Sequence, residues 1–267
     1  MIDMSGVYYF RKLTLLLSLF LIAQQAIAQQ FEAKTFQTKD GHSLPYRVLL
    51  PEDYEATTQY PVILFLHGAG ERGMDNEKQL THGSKIFLED SFRKKYPAII
   101  LFPQCPEDSY WASMTIDRTN YPIKTDFHYA NKPNWPLQAA RDLVDAWTDE
   151  GHIDADRIFV MGLSMGGMGT FESLIRWPKM FAAAAAICGG GDIRKAKRFA
   201  HRVPVWVFHG DADAVVPVRY SREMVQRLKD LHADVRYNEY PGVNHNSWDN
   251  AFAESELLPW LMMHSKS

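Results

Sequence analysis

Five short apolar runs recur along the chain, and polar segments separate them. They cover residues 61–67, 98–102, 157–161, 181–187 and 203–208. Strands buried on both faces of a parallel sheet have this pattern, because helices cover both faces and no strand position meets water. The runs therefore predict the inner strands of a mostly parallel sheet.

Helical periodicity lies between these runs. Apolar residues share one helical face over residues 137–147 and another over residues 224–231. These residues are Leu137, Ala140, Leu143, Val144 and Trp147 on the first face, and Met224, Val225, Leu228 and Leu231 on the second. Strands that alternate with helices predict an α/β fold, with a mostly parallel central sheet flanked by helices.

Three segments depart from this alternation. Residues 31–38 and 43–50 flank an Asp-Gly pair, which predicts a β-hairpin. Residues 103–134 have little periodicity and contain several prolines and aromatic residues, which predicts a long loop of the kind that is often functional. The link over residues 187–203 is too short to form a large lid domain.

The N-terminus has the pattern of an export signal. Arg11 and Lys12 precede an apolar stretch over residues 13–22, and residues 26–28 form an A-x-A cleavage site. The stretch is too short to span a bilayer comfortably, which disfavours a membrane anchor. We predict a signal peptide over residues 1–28, with no membrane span after its cleavage, and a mature protein in the periplasm or outside the cell.

Composition excludes several classes of protein. The 267 residues are 46% hydrophobic and 23% charged, which is ordinary globular usage and excludes a disordered or coiled-coil chain. The net charge of −3 gives no reason to expect a nucleic-acid partner. Residues 29–267 are therefore predicted to form a single domain with its own core.

Cysteine and histidine usage argues against metals and cofactors. Cys105 and Cys188 are too few for a disulfide framework or a cysteine zinc site. Two buried free thiols are expected, and a single disulfide between them is the alternative. The histidines show no H-x-x-x-H spacing with a companion carboxylate. No cofactor and no metal site is predicted.

The sharpest chemical motif is G-x-S-x-G over residues 162–166. It follows the run at residues 157–161 and precedes a predicted helix that reaches Ile175. This strand–turn–helix order is the context of a nucleophilic serine, which sits in a strained turn with its hydroxyl projecting above the sheet. We predict Ser164 as the nucleophile and the amide of Met165 as an oxyanion donor.

A serine hydroxyl needs a base, and candidates follow later strands. His245 follows one predicted strand, and Asp211 and Asp213 follow the run at residues 203–208. Ligands bind at the carboxyl ends of the strands in open α/β sheets, so all three can reach Ser164 there. His245 would accept the serine proton, and one aspartate would hold the imidazole. Spacing alone does not separate the two aspartates.

A glycine-rich loop over residues 67–73 is the candidate for the second oxyanion donor. It follows the run at residues 61–67, and its glycines allow the backbone to approach a substrate. Ala69 is the first candidate and Gly70 the second. The alternative of a phosphate-binding loop is disfavoured, because the lysine and hydroxyl spacing of a P-loop is missing.

Five blocks of sequence are specific in combination and extend through nearly the whole chain after residue 28. They are HGAGERGMDN at residues 67–76, PQCP at 103–106 followed by Trp111, GLSMGGMGT at 162–170, HGDADAVVP at 209–217 and GVNHNSW at 242–248. Together they resemble the α/β-hydrolases of the small carboxylesterase, feruloyl-esterase and polyhydroxybutyrate-depolymerase-like group.

This resemblance implies an α/β-hydrolase fold, and the short link over residues 187–203 leaves no room there for a large lid domain. The resemblance also implies roles for particular residues. In the HGxxDxxVP block of the group, the aspartate before the apolar pair is the catalytic acid, which implies Asp213. The resemblance also favours Ala69 as an oxyanion donor. It does not fix a substrate, because members of the group act on many esters.

The expected function is that of an exported serine carboxylic-ester hydrolase working through an acyl-enzyme. Tyr110 and Trp111 in the long loop would stack on a sugar or phenolic ring, with Trp111 nearest the serine. Packing within the loop is the alternative role for each of these side chains. Feruloyl, acetyl or other polysaccharide-linked esters are therefore candidate substrates. A prolyl-oligopeptidase-like peptidase and a non-catalytic binding protein on a hydrolase scaffold are the alternatives, and the oligomeric state stays open.

Overall fold

A computed structural model of the protein describes residues 30–129 and 132–266. The predicted signal peptide, residues 1–28, lies outside the described residues and stays a prediction. Ten strands are described: β1 Glu32–Gln37, β2 Ser43–Leu49, β3 Tyr60–Leu66, β4 Ile99–Pro103, β5 Met114–Asp117, β6 Lys124–Phe127, β7 Ile153–Leu163, β8 Ala183–Ile187, β9 Val205–Gly210 and β10 Val235–Tyr240.

Eight of these strands form one sheet in the order β1-β2-β4-β3-β7-β8-β9-β10. The predicted hairpin supplies β1 and β2, which pair antiparallel at one edge, and β2 is also antiparallel to β4. From β4 to β10 all neighbours are parallel. The α/β class with a mostly parallel sheet is thus confirmed.

Helices cover both faces of this sheet. They are α1 Asp90–Lys95, α2 Trp135–Asp149, α3 Met165–Arg176, α4 Arg219–Asp230, α5 Trp248–Ala253 and α6 Leu257–Met262. The predicted apolar faces lie in α2 and α4, which pack on one side of the sheet with α3, while α1, α5 and α6 pack on the other. Strand β3 is buried along its whole length, because its alternate side chains enter the two cores.

The described part of the predicted loop, residues 103–129 and 132–134, is more ordered than the sequence predicted. It contains a second, two-stranded sheet in which β5 and β6 pair antiparallel. Each strand has only four residues, too few for the alternation of buried and exposed positions to stand out in the sequence. Within the described residues no insertion builds a large lid domain, and the link after β8 carries only a 3-10 helix, Ile193–Arg198.

Two buried side chains fasten this segment to the sheet and to α3. The indole of Trp111 is fully buried, and its Nε1 donates to the carbonyl of His67 over 3.0 Å. A Cβ on Gly169 would come within 2.6 Å of the Trp111 Cβ, so the indole packs directly on α3. Glu172, also fully buried, accepts from the Ser113 amide and hydroxyl and pairs with Arg176.

Replacing Trp111 with alanine should lower the free energy of unfolding by about 3–5 kcal/mol, because a large buried side chain and its hydrogen bond are lost. Thermal or denaturant unfolding measures this change. Tyr121→Ala is the matched control, since Tyr121 belongs to the same segment but is 60% exposed. A Trp111→Ala protein as stable as the control would contradict the anchoring role.

Candidate active site

Four loops meet at the carboxyl edge of the parallel strands. They follow β3, β7, β9 and β10, and they carry residues 67–73, Ser164, Asp213 and His245 respectively. Open α/β sheets bind ligands at this edge. The sheet order places β7 between β3 and β8, so Ser164 lies near the middle of the edge.

Ser164 occupies a strained turn between β7 and α3. Its backbone has φ +53° and ψ −115°, a combination that a residue with a side chain seldom adopts. The turn is held from both sides, because the Ser164 amide donates to the Ile187 carbonyl over 2.8 Å and the Ser164 carbonyl accepts from the Met168 amide over 3.0 Å. This geometry is that of a nucleophile elbow.

The flanking glycines are required by close backbone contact. A Cβ on Gly166 would overlap the backbone carbonyl of Leu66 in the neighbouring strand β3. A Cβ on Gly162 would lie 2.5 Å from the Gly166 carbonyl oxygen. Any larger residue at either position would push α3 away from the sheet and move Ser164 with it.

Ser164, His245 and Asp213 form a continuous hydrogen-bonded chain. The Ser164 Oγ lies 3.0 Å from His245 Nε2, and His245 Nδ1 lies 2.7 Å from Asp213 Oδ2. The Asp213 side chain is fully buried, while the imidazole of His245 is 18% exposed. With a proton on Nδ1 directed at the carboxylate, the free Nε2 lone pair of His245 faces the serine hydroxyl.

The carboxylate of Asp213 is surrounded by donors. Its Oδ1 accepts the amides of Val215 and Val216, each over 2.8 Å, and its Oδ2 lies 3.2 Å from His209 Nε2 as well as 2.7 Å from His245 Nδ1. Burial alone would raise the pKa of Asp213, but these hydrogen bonds and the charge of His245 lower it well below its usual range. A carboxylate so placed stays ionised.

Asp211, the other candidate acid, lies elsewhere. It is exposed, and its Oδ1 accepts the Gly242 amide over 2.6 Å. This contact joins the loop after β9 to the loop after β10. The structure therefore brings Asp213, and not Asp211, to His245.

The loop after β3 brings backbone amides beside Ser164. Residues Ala69–Glu71 form a 3-10 turn, and Gly68, Ala69, Gly70 and Met165 line the same cavity as Ser164. Ala69 and Met165 are the first residues of their helices, where N–H groups have no intrahelical partner. Among the turn and loop hydrogen bonds of the described residues, neither amide is a donor.

His67 holds this loop in place. Its ring is buried, with Nδ1 2.6 Å from the Gly68 carbonyl and Nε2 2.9 Å from the Cys105 amide. The amide can only donate, so Nε2 accepts and Nδ1 carries the proton. Burial lowers the pKa of His67 to about 4, which keeps the ring neutral at neutral pH.

The cavity above Ser164 has a volume of about 240 Å³. Its apolar wall comes from the β5–β6 hairpin, from α3 and from the loop after β9: Met114, Ile116, Ile123, Met168, Val215 and Val216. Residues 110–123 of the predicted loop thus contribute one wall of the cavity. Tyr110 and Arg118, which touch over 3.4 Å, also line it.

Trp111 is not among the residues that line this cavity. The sequence predicted it as the aromatic side chain nearest the serine, but its ring turns inward and packs on Gly169 and His67, 5.2 Å from the His67 ring. A fully buried indole has no surface left for a substrate. Tyr110, the preceding residue, lines the cavity where the sequence predicted Trp111.

Sequence reasoning missed a group of side chains on another part of the lining. Glu71, His82 and Trp248 all face the cavity. Glu71 lies in the glycine-rich loop and Trp248 three residues after His245, so both were close to recognised motifs. His82 had no such signal, since it lies in a turn after the block over residues 67–76 and belongs to no recognised motif.

Cys105 and Cys188 are free, buried thiols, as expected. Burial raises the pKa of both. In residues 30–129 and 132–266, no group of three or more histidine, cysteine, aspartate or glutamate side chains is arranged to hold a metal ion.

Comparison with known proteins gives the family. Residues 54–256 match the model of the phospholipase/carboxylesterase family of α/β-hydrolases, and the chain belongs to this family. Its structure is similar to the crystal structure of a thermostable esterase, with 38% identity, a TM-score of 0.80 and coverage of 90% of this chain.

Two curated relatives match shorter stretches. An uncharacterized secreted protein of Arthroderma benhamiae is 30% identical over 46% of this chain, and acyl-protein thioesterase 1 of Neurospora crassa is 33% identical over 40%. The chain spans 16% of the first protein, 46% of the second and 64% of the thermostable esterase. It therefore covers less than two thirds of each.

The buried neutral ring of His67 predicts a loss of stability in acid. Its pKa of about 4 in the folded protein lies below the 6.5 of a free histidine, so protonation favours unfolding. The free energy of unfolding should fall by about 3 kcal/mol from this group as the pH drops from about 6.5 to 4. Denaturant unfolding across this range measures it.

His67→Gln should be less stable than the natural protein at pH 7 but should lose less stability between pH 6.5 and 4. His201→Gln, at an exposed histidine, is the control and should keep the natural pH dependence. Equal pH dependence in all three proteins would contradict a buried, neutral His67.

Proposed function

We propose that the protein is an exported serine hydrolase that cleaves carboxylic esters through an acyl-enzyme formed on Ser164. The observation that carries this proposal is the chain of contacts from Ser164 Oγ to His245 Nε2, 3.0 Å, and from His245 Nδ1 to Asp213 Oδ2, 2.7 Å. Membership of the phospholipase/carboxylesterase family supports the same chemistry.

In the first half of the reaction, Ser164 Oγ attacks the ester carbonyl and its proton passes to His245 Nε2. The ionised Asp213 stabilises the imidazolium that forms, and its hydrogen bond keeps the ring oriented. The tetrahedral intermediate collapses when His245 gives its proton to the leaving alcohol oxygen. The acyl group then remains on Ser164.

In the second half, water takes the position of the departed alcohol. His245 removes a proton from this water, and the resulting attack on the acyl carbon forms a second tetrahedral intermediate. The proton returns to Ser164 Oγ as the Oγ–acyl bond breaks. The carboxylic acid leaves, and the triad is restored.

We assign the oxyanion hole to the amides of Ala69 and Met165. Both residues line the cavity beside Ser164, and both amides begin a helix, where they are free to donate. Two fixed N–H donors stabilise the developing negative oxygen without any reorganisation at the moment of reaction. Gly70 is the second candidate for the donor from the loop after β3.

Acetyl and feruloyl esters linked to polysaccharide are the proposed substrates. The apolar hairpin wall suits a flat or short acyl group, and Tyr110 offers an aromatic ring at the cavity where Trp111 does not. The identity of the acyl group is a proposal that substrate profiling tests.

Export is the proposed route to these substrates. The basic, apolar and A-x-A segments over residues 11–28 support a cleaved signal peptide. Within the described residues, no helix combines the length and the apolar character that a membrane crossing demands. One curated relative is named a secreted protein.

Ser164→Ala should fold normally and lose roughly a million-fold in kcat, because the nucleophile is gone. The measurement is turnover of p-nitrophenyl esters, methyl ferulate, acetylated xylan and dipeptide amides by the natural protein and the variant. Ser255→Ala, at an exposed serine outside the cavity, is the control and should keep full activity.

The same panel separates the alternatives. Turnover of esters without turnover of amides supports the esterase proposal, and preferred cleavage of amides would replace it with a peptidase. Sugar binding without any turnover would replace it with a binding protein. Near-normal ester turnover by pure Ser164→Ala would contradict the assigned nucleophile.

Asp213→Asn should lose on the order of ten-thousand-fold in kcat, because an amide holds the wrong tautomer of His245. Asp211→Asn should lose far less, since Asp211 is exposed and contacts the Gly242 amide instead of His245. Steady-state kinetics on one p-nitrophenyl ester compares the two variants, with circular dichroism to verify folding. A severe loss in Asp211→Asn with a nearly silent Asp213→Asn would reverse the assignment.

A further inference from the structure

We propose that Glu71, His82 and Trp248 form a subsite that binds the alcohol part of the ester and selects a polyhydroxylated alcohol such as a sugar. This inference rests on the proposed esterase function and names the leaving group that the site prefers. The three side chains are called the polyol subsite below.

The polyol subsite is continuous with the triad. The Trp248 ring lies edge-to-face on His245, with 5.4 Å between centroids, and the His82 ring lies 5.0 Å beyond it. His82 Nε2 is 3.8 Å from Glu71 Oε1. All three side chains line the cavity that holds Ser164, so one wall runs from His245 to Glu71.

The mechanism indicates which half of the ester meets this wall. His245 gives its proton to the leaving oxygen, so the alcohol must lie against His245 when the acyl-enzyme forms. The ring that packs on His245 is Trp248, which leads to His82 and Glu71. The polyol subsite would therefore bind the leaving alcohol, and the apolar wall formed by the β5–β6 hairpin would bind the acyl group.

The polar groups of the subsite are not satisfied by one another. A distance of 3.8 Å between His82 and Glu71 is too long for a hydrogen bond, so both retain capacity for a ligand. The Glu71 side chain is only 12% exposed and that of His82 is 35% exposed. Burial raises the pKa of Glu71, while the charges of His82 and His245 oppose this rise.

These groups match a sugar ring better than other alcohols. A carboxylate accepts from hydroxyl groups, an imidazole can donate or accept, and the adjacent indole offers an apolar surface to ring C–H groups. A site that hydrogen-bonds a substrate hydroxyl strongly rejects an analogue without it, because its own polar groups stay unpaired.

Glu71 also has a second contact, which decides the choice of variant. Its carboxylate interacts with the backbone amide of Gly68, next to the proposed oxyanion donor Ala69. A change at Glu71 would therefore disturb every substrate. His82 approaches Glu71 and Trp248, and it belongs neither to the triad nor to the proposed oxyanion hole, so His82→Ala is the primary test.

Three acetyl esters of primary alcohols isolate the alcohol part: ethyl acetate, glucose 6-acetate and acetylcholine. Release of acetic acid gives kcat/KM for each. The natural protein should prefer glucose 6-acetate to ethyl acetate by about tenfold or more, and His82→Ala should reduce that ratio about tenfold. His201→Ala, at an exposed histidine, should keep the natural ratio. Met114→Ala, on the apolar wall, should lower both values together.

A second readout uses the alcohol as an acceptor. When glucose is added, its hydroxyl attacks the acyl-enzyme, the bond from Ser164 Oγ to the acyl carbon breaks, and the hydroxyl proton returns to Ser164 through His245. The product is an acetyl glucose in place of acetic acid. The yield of transfer relative to hydrolysis should fall in His82→Ala, since the subsite would bind the acceptor.

Several results would overturn the proposal. If the natural protein hydrolyses glucose 6-acetate and ethyl acetate with equal kcat/KM, the subsite does not exist. The same conclusion follows if His82→Ala has the same ratio of these two kcat/KM values as the natural protein. Preference for acetylcholine would make the wall a cation site. In these cases Ser164-dependent hydrolysis persists and only the subsite fails, whereas loss of all Ser164-dependent ester hydrolysis refutes the proposed function and the subsite together.

Discussion

The backbone turn at Ser164 is the constraint on which the rest of the site depends. A residue at φ +53° and ψ −115° carries a conformational cost of order 1–3 kcal/mol, so contacts with the surrounding structure must hold the backbone in this conformation. They do so by close contact, because Gly166 lies directly against the Leu66 carbonyl and the Ser164 amide bonds to Ile187. Strands β3, β7 and β8 and helix α3 therefore act together to expose one hydroxyl.

The carboxylate of Asp213 is the second fixed point. Its four short contacts come from its own loop, from His209 and from His245, so its position and its charge are both determined. Asn244 extends this arrangement, since its Oδ1 accepts the amides of Ala214 and His245 over 2.9 and 2.7 Å. The loops after β9 and β10 are thus joined, and His245 has little freedom to move away from Ser164.

Features that depend on residues close together in the sequence were easier to predict than features that depend on contacts between distant segments. The parallel sheet and the Ser164 elbow were predictable, because continuous apolar runs and a G-x-S-x-G turn are local patterns. The choice between Asp211 and Asp213 was not, because both follow β9 within three residues. The two aspartates differ only in the direction of their side chains, which the sequence does not show. The family resemblance favoured Asp213, and the structure places its carboxylate beside His245.

Features that depend on contacts across the fold were predicted least well. Trp111 is a residue type that often stacks on substrates. Here its side chain is buried instead, because it packs against Gly169 on α3 and its Nε1 donates to the His67 carbonyl. The short strands β5 and β6 gave too weak an alternation to be recognised. His82 lies in the segment between β3 and β4, and only the folded chain brings it to the cavity that holds Ser164.

The central claim is that this strained turn presents Ser164 to His245 as the nucleophile of the proposed reaction. The most direct test is reaction with a fluorophosphonate, followed by intact mass measurement and peptide mapping. The account predicts one covalent adduct per chain, located on Ser164. An adduct on another residue, or no adduct under conditions that label a known serine hydrolase, would contradict it.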